Sequence, residues 1–114
     1  IMHEMQIVMN VVRSMDQYAE QYHIPEIRVV VMELGQASSV QPFFFRSCWD
    51  PVIGQSRHLL NASLEIREIP CEAKCNSCGH TFHPAEFTAP CPNCNSNAWN
   101  VISGRDVRIK EIKV

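Results

Sequence analysis

Between Glu4 and Tyr22 apolar side chains recur at intervals of three and four, at Val8, Val11, Val12, Met15, Tyr18, Ala19 and Tyr22. That spacing keeps them on one face of an amphipathic helix. Arg13, Asp16, Gln17, Glu20 and Gln21 fill the other face, and Pro25 follows where a helix stops. The pattern predicts a first helix ending near His23. It then changes: Glu26 to Leu34 is rich in β-branched residues, is closed by Gly35, and is too short for a comparable helix, so it reads as a largely buried strand. Ser38 and Ser39 offer capping hydroxyls and Pro42 suits an early helical turn. A second helix carrying Phe44, Phe45, Cys48 and Trp49 is expected to begin there, with Pro51 ending or kinking it. Leu64 to Ile69 and Val107 to Val114 read as two further strands. Each has an apolar alternation that slips after two repeats, which marks a bulge or a strand end.

The stretch from Cys71 to about Ser103 interrupts this pattern with Cys, Pro and Asn, and reads as an insertion between two strands of one sheet. The expected fold class is α+β, with two helices on a three-stranded sheet and a zinc-ribbon lobe inserted before the last strand. At 114 residues the chain suits one compact domain or two small lobes sharing a core, and cannot hold two large domains. With 46% hydrophobic and 19% charged residues it is a folded globular protein and not a disordered tail. A net charge of −2 gives no general attraction to phosphate backbones, which favours protein or metal over nucleic acid as partner. Apolar runs such as Val29 to Met32 and Phe43 to Phe45 are short, and His3 and Glu4 stand where a signal peptide would carry Lys or Arg. A soluble, cytoplasmic protein with no membrane association is expected.

Two pairs of cysteines, Cys75 with Cys78 and Cys91 with Cys94, each enclose two residues, and twelve residues separate the pairs. Each such turn can aim two sulfurs at one point, and two turns complete the tetrahedral thiolate shell of a zinc ion. Six cysteines could also form three disulfides, but this arrangement is ligand spacing and fits a reducing compartment better. A closed shell leaves no position for substrate, so the zinc is structural and holds together a lobe with too little core to fold otherwise. Rubredoxin-like iron on the same sulfurs, and a redox dithiol formed by one pair, are the rival readings. Cys71 reads as a thiol at the lobe boundary and Cys48 as a core residue beside Trp49. His80 and His83 lie on the inserted lobe as surface histidines or as further ligands. No nucleophile elbow, phosphate-cradling glycine loop or open zinc site suggests an enzyme.

His3 lies where an α-amine, the first backbone amides and an imidazole can converge on one small ion. That donor set suits Ni(II) or Cu(II). Several segments in order carry a resemblance to a known family: Met2-His3-Glu4; Glu33-Leu34-Gly35; the strand from Leu64 to Pro70 running into the two cysteine pairs; Ser103-Gly104-Arg105; and Val107 to Ile112. In these features the chain resembles the HypA family of nickel metallochaperones for [NiFe]-hydrogenase maturation. The resemblance implies nickel held by Met2, His3 and Glu4, with His3 the leading ligand and Glu4 either a nickel-site or a partner-contact residue. It implies zinc held by Cys75, Cys78, Cys91 and Cys94. It also implies delivery of nickel to a hydrogenase large subunit together with a HypB-type GTPase. Residues 1–70 plus 104–114 would form the nickel-binding domain and 71–103 the zinc-binding domain. Ile1 precedes the Met that starts the family motif, so either Met2 is the natural start or the terminal amine is displaced by one residue. Asn95 stands where many relatives have a histidine. Whether the target is a hydrogenase alone or also a urease, and whether the chain forms a homodimer, stay open in the sequence. The alternative from another class is a zinc-ribbon module that binds nucleic acid or serves transcription, against which Lys74 is the only Lys or Arg between Cys71 and Ser103.

Overall fold

The computed structural model describes residues 2–114, with Met2 described in its backbone alone. The first element is α1 (Met2–Gln21), followed by β1 (Val29–Gly35), α2 (Pro42–Ile53) and β2 (Ser63–Ile69). Then come β3 (Glu72–Cys75), β4 (Thr81–Phe82), β5 (Trp99–Ser103) and β6 (Val107–Lys113). Two three-stranded sheets result, ordered β2-β1-β6 and β4-β3-β5. The larger sheet is mixed: β2 runs parallel to β1, with α2 as the connection, and β6 runs antiparallel to it. The inserted stretch therefore leaves from one edge of this sheet and returns at the other.

The α1 stripe packs as its period requires, with Val8, Val12, Met15 and Ala19 buried. Tyr18 and Tyr22, which the pattern places on the same stripe, are instead 46% and 57% exposed and pair with each other at 4.6 Å. The helix stops because His23 adopts a left-handed φ of 56°, letting the Ile24 amide reach back to the Ala19 carbonyl at 2.8 Å. As the central strand, β1 is buried on both faces. Val30, Met32 and Leu34 join a core with Phe45, Cys48, Trp49 and Ile53 of α2, while Val31 and Glu33 face away from both helices. On that far face Arg108 pairs with the Glu33 carboxylate, and Lys110 approaches it at 4.0 Å.

The start of α2 corrects the expectation. Ser38 turns its hydroxyl back to the Gly35 carbonyl at 2.6 Å, Ser39 is left-handed at φ 69°, and the capping position falls to Gln41 with Pro42 in the first turn. Pro51 does not end the helix at once, which runs on to Ile53. The apolar slip has two causes. In β6 it is a bulge, since Val31 faces Glu111 and Met32 faces Ile109, leaving Lys110 as the extra residue. In β2 the register with β1 is unbroken, and Ile69 is simply the strand's last residue.

The two sheets meet at a backbone joint. A side-chain carbon on Gly35 would lie 2.1 Å from the Gly104 carbonyl oxygen, and one on Gly104 would lie 2.3 Å from the Pro70 oxygen. Gly104 also has a φ of 82°. The Gln36 amide bonds the Ile69 carbonyl, the Ala37 amide bonds Gly104, and the Gln36 side chain accepts from the Cys71 amide at 3.2 Å. Both linkers to the smaller sheet are thus clamped by the loop that follows β1.

Candidate metal centre

Two turns of the same construction build the centre. The Gly79 amide donates to the Cys75 carbonyl at 2.9 Å, and the Asn95 amide donates to the Cys91 carbonyl at 2.8 Å. Gly79 (φ 77°) and Asn95 (φ 63°) are both left-handed, a conformation that Gly and Asn adopt most readily. The Cys75 amide then bonds the His80 carbonyl and the Cys91 amide bonds Ser96. In each turn the first cysteine is buried, at 1% exposure, and the second is exposed.

The four sulfurs all lie within 4.8 Å of one another. Tetrahedral zinc with Zn–S bonds of about 2.3 Å sets its sulfurs roughly 3.8 Å apart. Cys75 Sγ is 3.5 Å from Cys94 Sγ, and Cys78 Sγ is 3.8 Å from Cys91 Sγ, both close to the separation that such an ion requires. None of the cysteines is in a disulfide.

Electrostatics favour a cation here. Asn93 donates its side-chain amide to Cys78 Sγ at 3.4 Å, and with the His80 backbone amide this draws the Cys78 thiol down to about 6. Cys75 is lowered by the backbone amides of Cys78 and Ser77. The Ser96 amide also favours the Cys94 thiolate, but the adjacent Cys75 sulfur and burial outweigh it and push Cys94 up to about 12. Thiolates crowded this closely resist ionising together, and a doubly charged ion at their centre reverses that penalty.

Cys71 is buried outside the cluster, at the linker, where His83 Nδ1 pairs with its carbonyl at 2.9 Å. His80 is exposed, lies parallel to the Phe82 ring and is not among the clustered ligands. Asn93, one of the two residues enclosed by the second cysteine pair, contributes beyond the cysteines themselves, and its signal is an amide side chain inside that turn.

The N-terminal residues form a separate place. His3 is exposed in the first turn of α1, while Glu4 beside it is 4% exposed. Glu4 Oε2 accepts the Gln41 amide at 3.0 Å, which holds its carboxyl below the usual range. The Ile1 amine and the Met2 side chain, both part of the expected nickel site, lie outside the described residues.

Fold and centre together define an α+β metal-binding protein built on two small sheets, with a four-cysteine centre in the smaller. The family described as hydrogenase/urease nickel incorporation metallochaperone HypA matches residues 2–114. The chain is 37% identical to the hydrogenase maturation factor HypA of Trichormus variabilis, over 99% of this chain and 96% of that one. It is 34% identical to the HypA of Albidiferax ferrireducens, over 99% of each. The solution structure of the nickel metallochaperone HypA from Helicobacter pylori shares the fold, with a TM-score of 0.70 and 23% identity over 96% of this chain and 95% of that one. The chain belongs to the HypA family of nickel metallochaperones.

Proposed function

We propose that this protein binds Ni(II) at its N-terminal segment and delivers it for maturation of a [NiFe]-hydrogenase, with zinc held structurally by Cys75, Cys78, Cys91 and Cys94. The observation that carries the reading is His3, exposed at the start of α1 and apart from the thiolate cluster, in a chain whose whole length matches a nickel-incorporation family. A helix's first amides have no intrahelical acceptor. Those of Met2 and His3 can therefore pass to a metal without breaking the α1 ladder. They converge on one ion only if the first turn unwinds, because helical N–H groups point together along the axis. Glu4, held by Gln41, marks where that unwinding stops, and its place beside His3 suits either the nickel site or contact with a partner.

Residues 1–70 with 104–114 act as the nickel-binding domain and 71–103 as the zinc-binding domain. A saturated thiolate shell gives stability, while exposed nitrogen donors allow release, so the function is delivery and not catalysis. The partners are a HypB-type GTPase and the hydrogenase large subunit, with no nucleic acid, and the place of action is the cytoplasm. No helix among the described residues is long and apolar enough to cross a membrane.

The test is a calorimetric nickel titration of the wild type, of His3→Ala and of a form with a blocked N-terminus, with zinc measured in each. The expected result is loss of high-affinity nickel binding in His3→Ala, a weaker or reshaped site in the blocked form, and unchanged zinc. Nickel affinity unaltered in His3→Ala overturns the N-terminal site and points to His80, His83 and the cysteines.

A further inference from the structure

The two helices run side by side in the same direction. Glu4 meets Gln41 at their beginnings, and Asp16 and Glu20 meet Ser56, Arg57 and His58 just past the end of α2. Between α1 and the segment that leaves α2 lies a groove of about 590 Å³. Met9, Val12 and Val52 supply its apolar lining, and Met9 is 40% exposed. An exposed thioether on a groove adapts to the shape of what packs on it.

The carboxylates of the groove are already engaged. Asp16 takes the Ser56 hydroxyl at 2.7 and 2.9 Å and the His58 amide at 3.2 Å. Glu20 takes Arg57 at 3.2 Å and His58 Nε2 at 2.7 Å. The other ring nitrogen of His58 faces the Pro25 carbonyl at 3.2 Å, so both ring nitrogens face acceptors and only the doubly protonated ring satisfies both. Arg13 is different: it lines the groove with no ion pair or hydrogen bond to any described residue. With His58 doubly protonated, three cationic groups, Arg13, Arg57 and His58, stand against the carboxylates of Asp16 and Glu20, and of the three Arg13 is the one that no carboxylate holds.

We propose that this groove docks an amphipathic helical segment of a partner protein, with an apolar anchor set against Met9, Val12 and Val52 and an acidic residue beside it paired with Arg13. A channel between parallel helices accepts a third helix through an apolar stripe. Charge decides which helix: an acidic flank is complementary to Arg13, and a basic flank is repelled. A second copy of this chain fits poorly, because a self-paired face sets the surplus positive charge against itself.

The experiment is an NMR titration of the ¹⁵N-labelled, zinc-loaded full chain with a helical peptide bearing Leu at one face and Glu beside it. A twin peptide with Lys in place of each Glu is run in parallel. Shifts should be confined to the amides around Arg13, Gln17, Val52 and Gln55, with the Glu peptide binding about tenfold more tightly than its twin. Arg13→Glu, an exposed substitution that leaves the core untouched, should invert that preference, and His3→Ala should leave it as it is. Absence of shifts at millimolar peptide, a map lying elsewhere, equal response to the two peptides, or an uninverted preference in Arg13→Glu would each overturn the proposal.

Discussion

Glu4 at the start of α1 accepts, at 3.0 Å, the backbone amide of Gln41, the residue that caps α2. In a capping box that service comes from an acidic or amide side chain three residues into the same helix. Here the corresponding residue of α2 is Phe44, which has nothing to offer, and Glu4 performs the task from another element. The N-terminal segment expected to hold nickel is therefore fastened to the core at its fourth residue.

This contact makes stability depend on acid. The folded-state carboxyl of Glu4 is lowered from 4.5, so its contribution is present above that value and lost as pH falls through the lower folded value. Glu4→Ala should lower the melting midpoint at neutral pH by several degrees, and Glu4→Gln, which keeps an acceptor, by less. Circular-dichroism melts should show the gap between wild type and Glu4→Gln narrowing below about pH 4.5. A gap that does not change between pH 7 and 3 would show that the carboxylate charge contributes nothing.

The cysteine cluster predicts a clean division among thiols. Cys75→Ser or Cys94→Ser should release the bound metal and unfold the smaller sheet, seen as loss of amide dispersion around Trp99, with the larger sheet intact. Cys71→Ser should keep about one equivalent, because Cys71 stands outside the cluster. Metal analysis of the three purified variants decides it.

Gly35 predicts a steric effect without any ligand. A methyl group there would meet three backbone atoms, at 2.1, 2.3 and 2.9 Å, none of which can rotate away. Gly35→Ala should cost about 3 kcal/mol or more in urea unfolding, with the loss shared by both sheets because the joint connects them. A cost below about 1 kcal/mol would mean that the joint yields easily.

Glu20 and His58 predict a stability window. Hydrogen bonding to Glu20 raises His58 above 6.5, and the same bond lowers Glu20 below 4.5. The His58 contribution is whole below 6.5 and fades as pH rises through its folded value, whereas that of Glu20 is whole above 4.5 and fades as pH falls through its own. The stability difference between wild type and Glu20→Gln should therefore be largest between about pH 4.5 and 6.5. An NMR titration should find His58 above 6.5 in wild type and closer to 6.5 in Glu20→Gln.

The features legible in the sequence are those whose cause is local. Ligand turns such as Cys75 to Cys78 are four residues long, so the chain itself carries the spacing that converges two sulfurs. The α1 stripe follows from the helical period, and Val8, Val12, Met15 and Ala19 are buried as that period requires. The same average governs less well at the margin of the stripe, where Tyr18 and Tyr22 stay exposed and pair with each other although Ala19 between them is fully buried.

The tertiary structure decided what depends on distant chain. The cap of α2 went to Gln41 and not to Ser38, because Ser38 found a nearer acceptor in Gly35 and Glu4 arrived from 37 residues away. Two apolar slips that look alike became a bulge at Lys110 and a strand end at Ile69, since only pairing with β1 tells one from the other. Hydrophobic periodicity records which side of an element faces inward, but hydrogen-bond partners and backbone clearances at its ends are set by whichever segment the fold brings there. For that reason the spacing that brings four cysteines together could be read from the sequence alone, and only the folded chain could show what fastens the N-terminal segment and why residue 35 has no side chain.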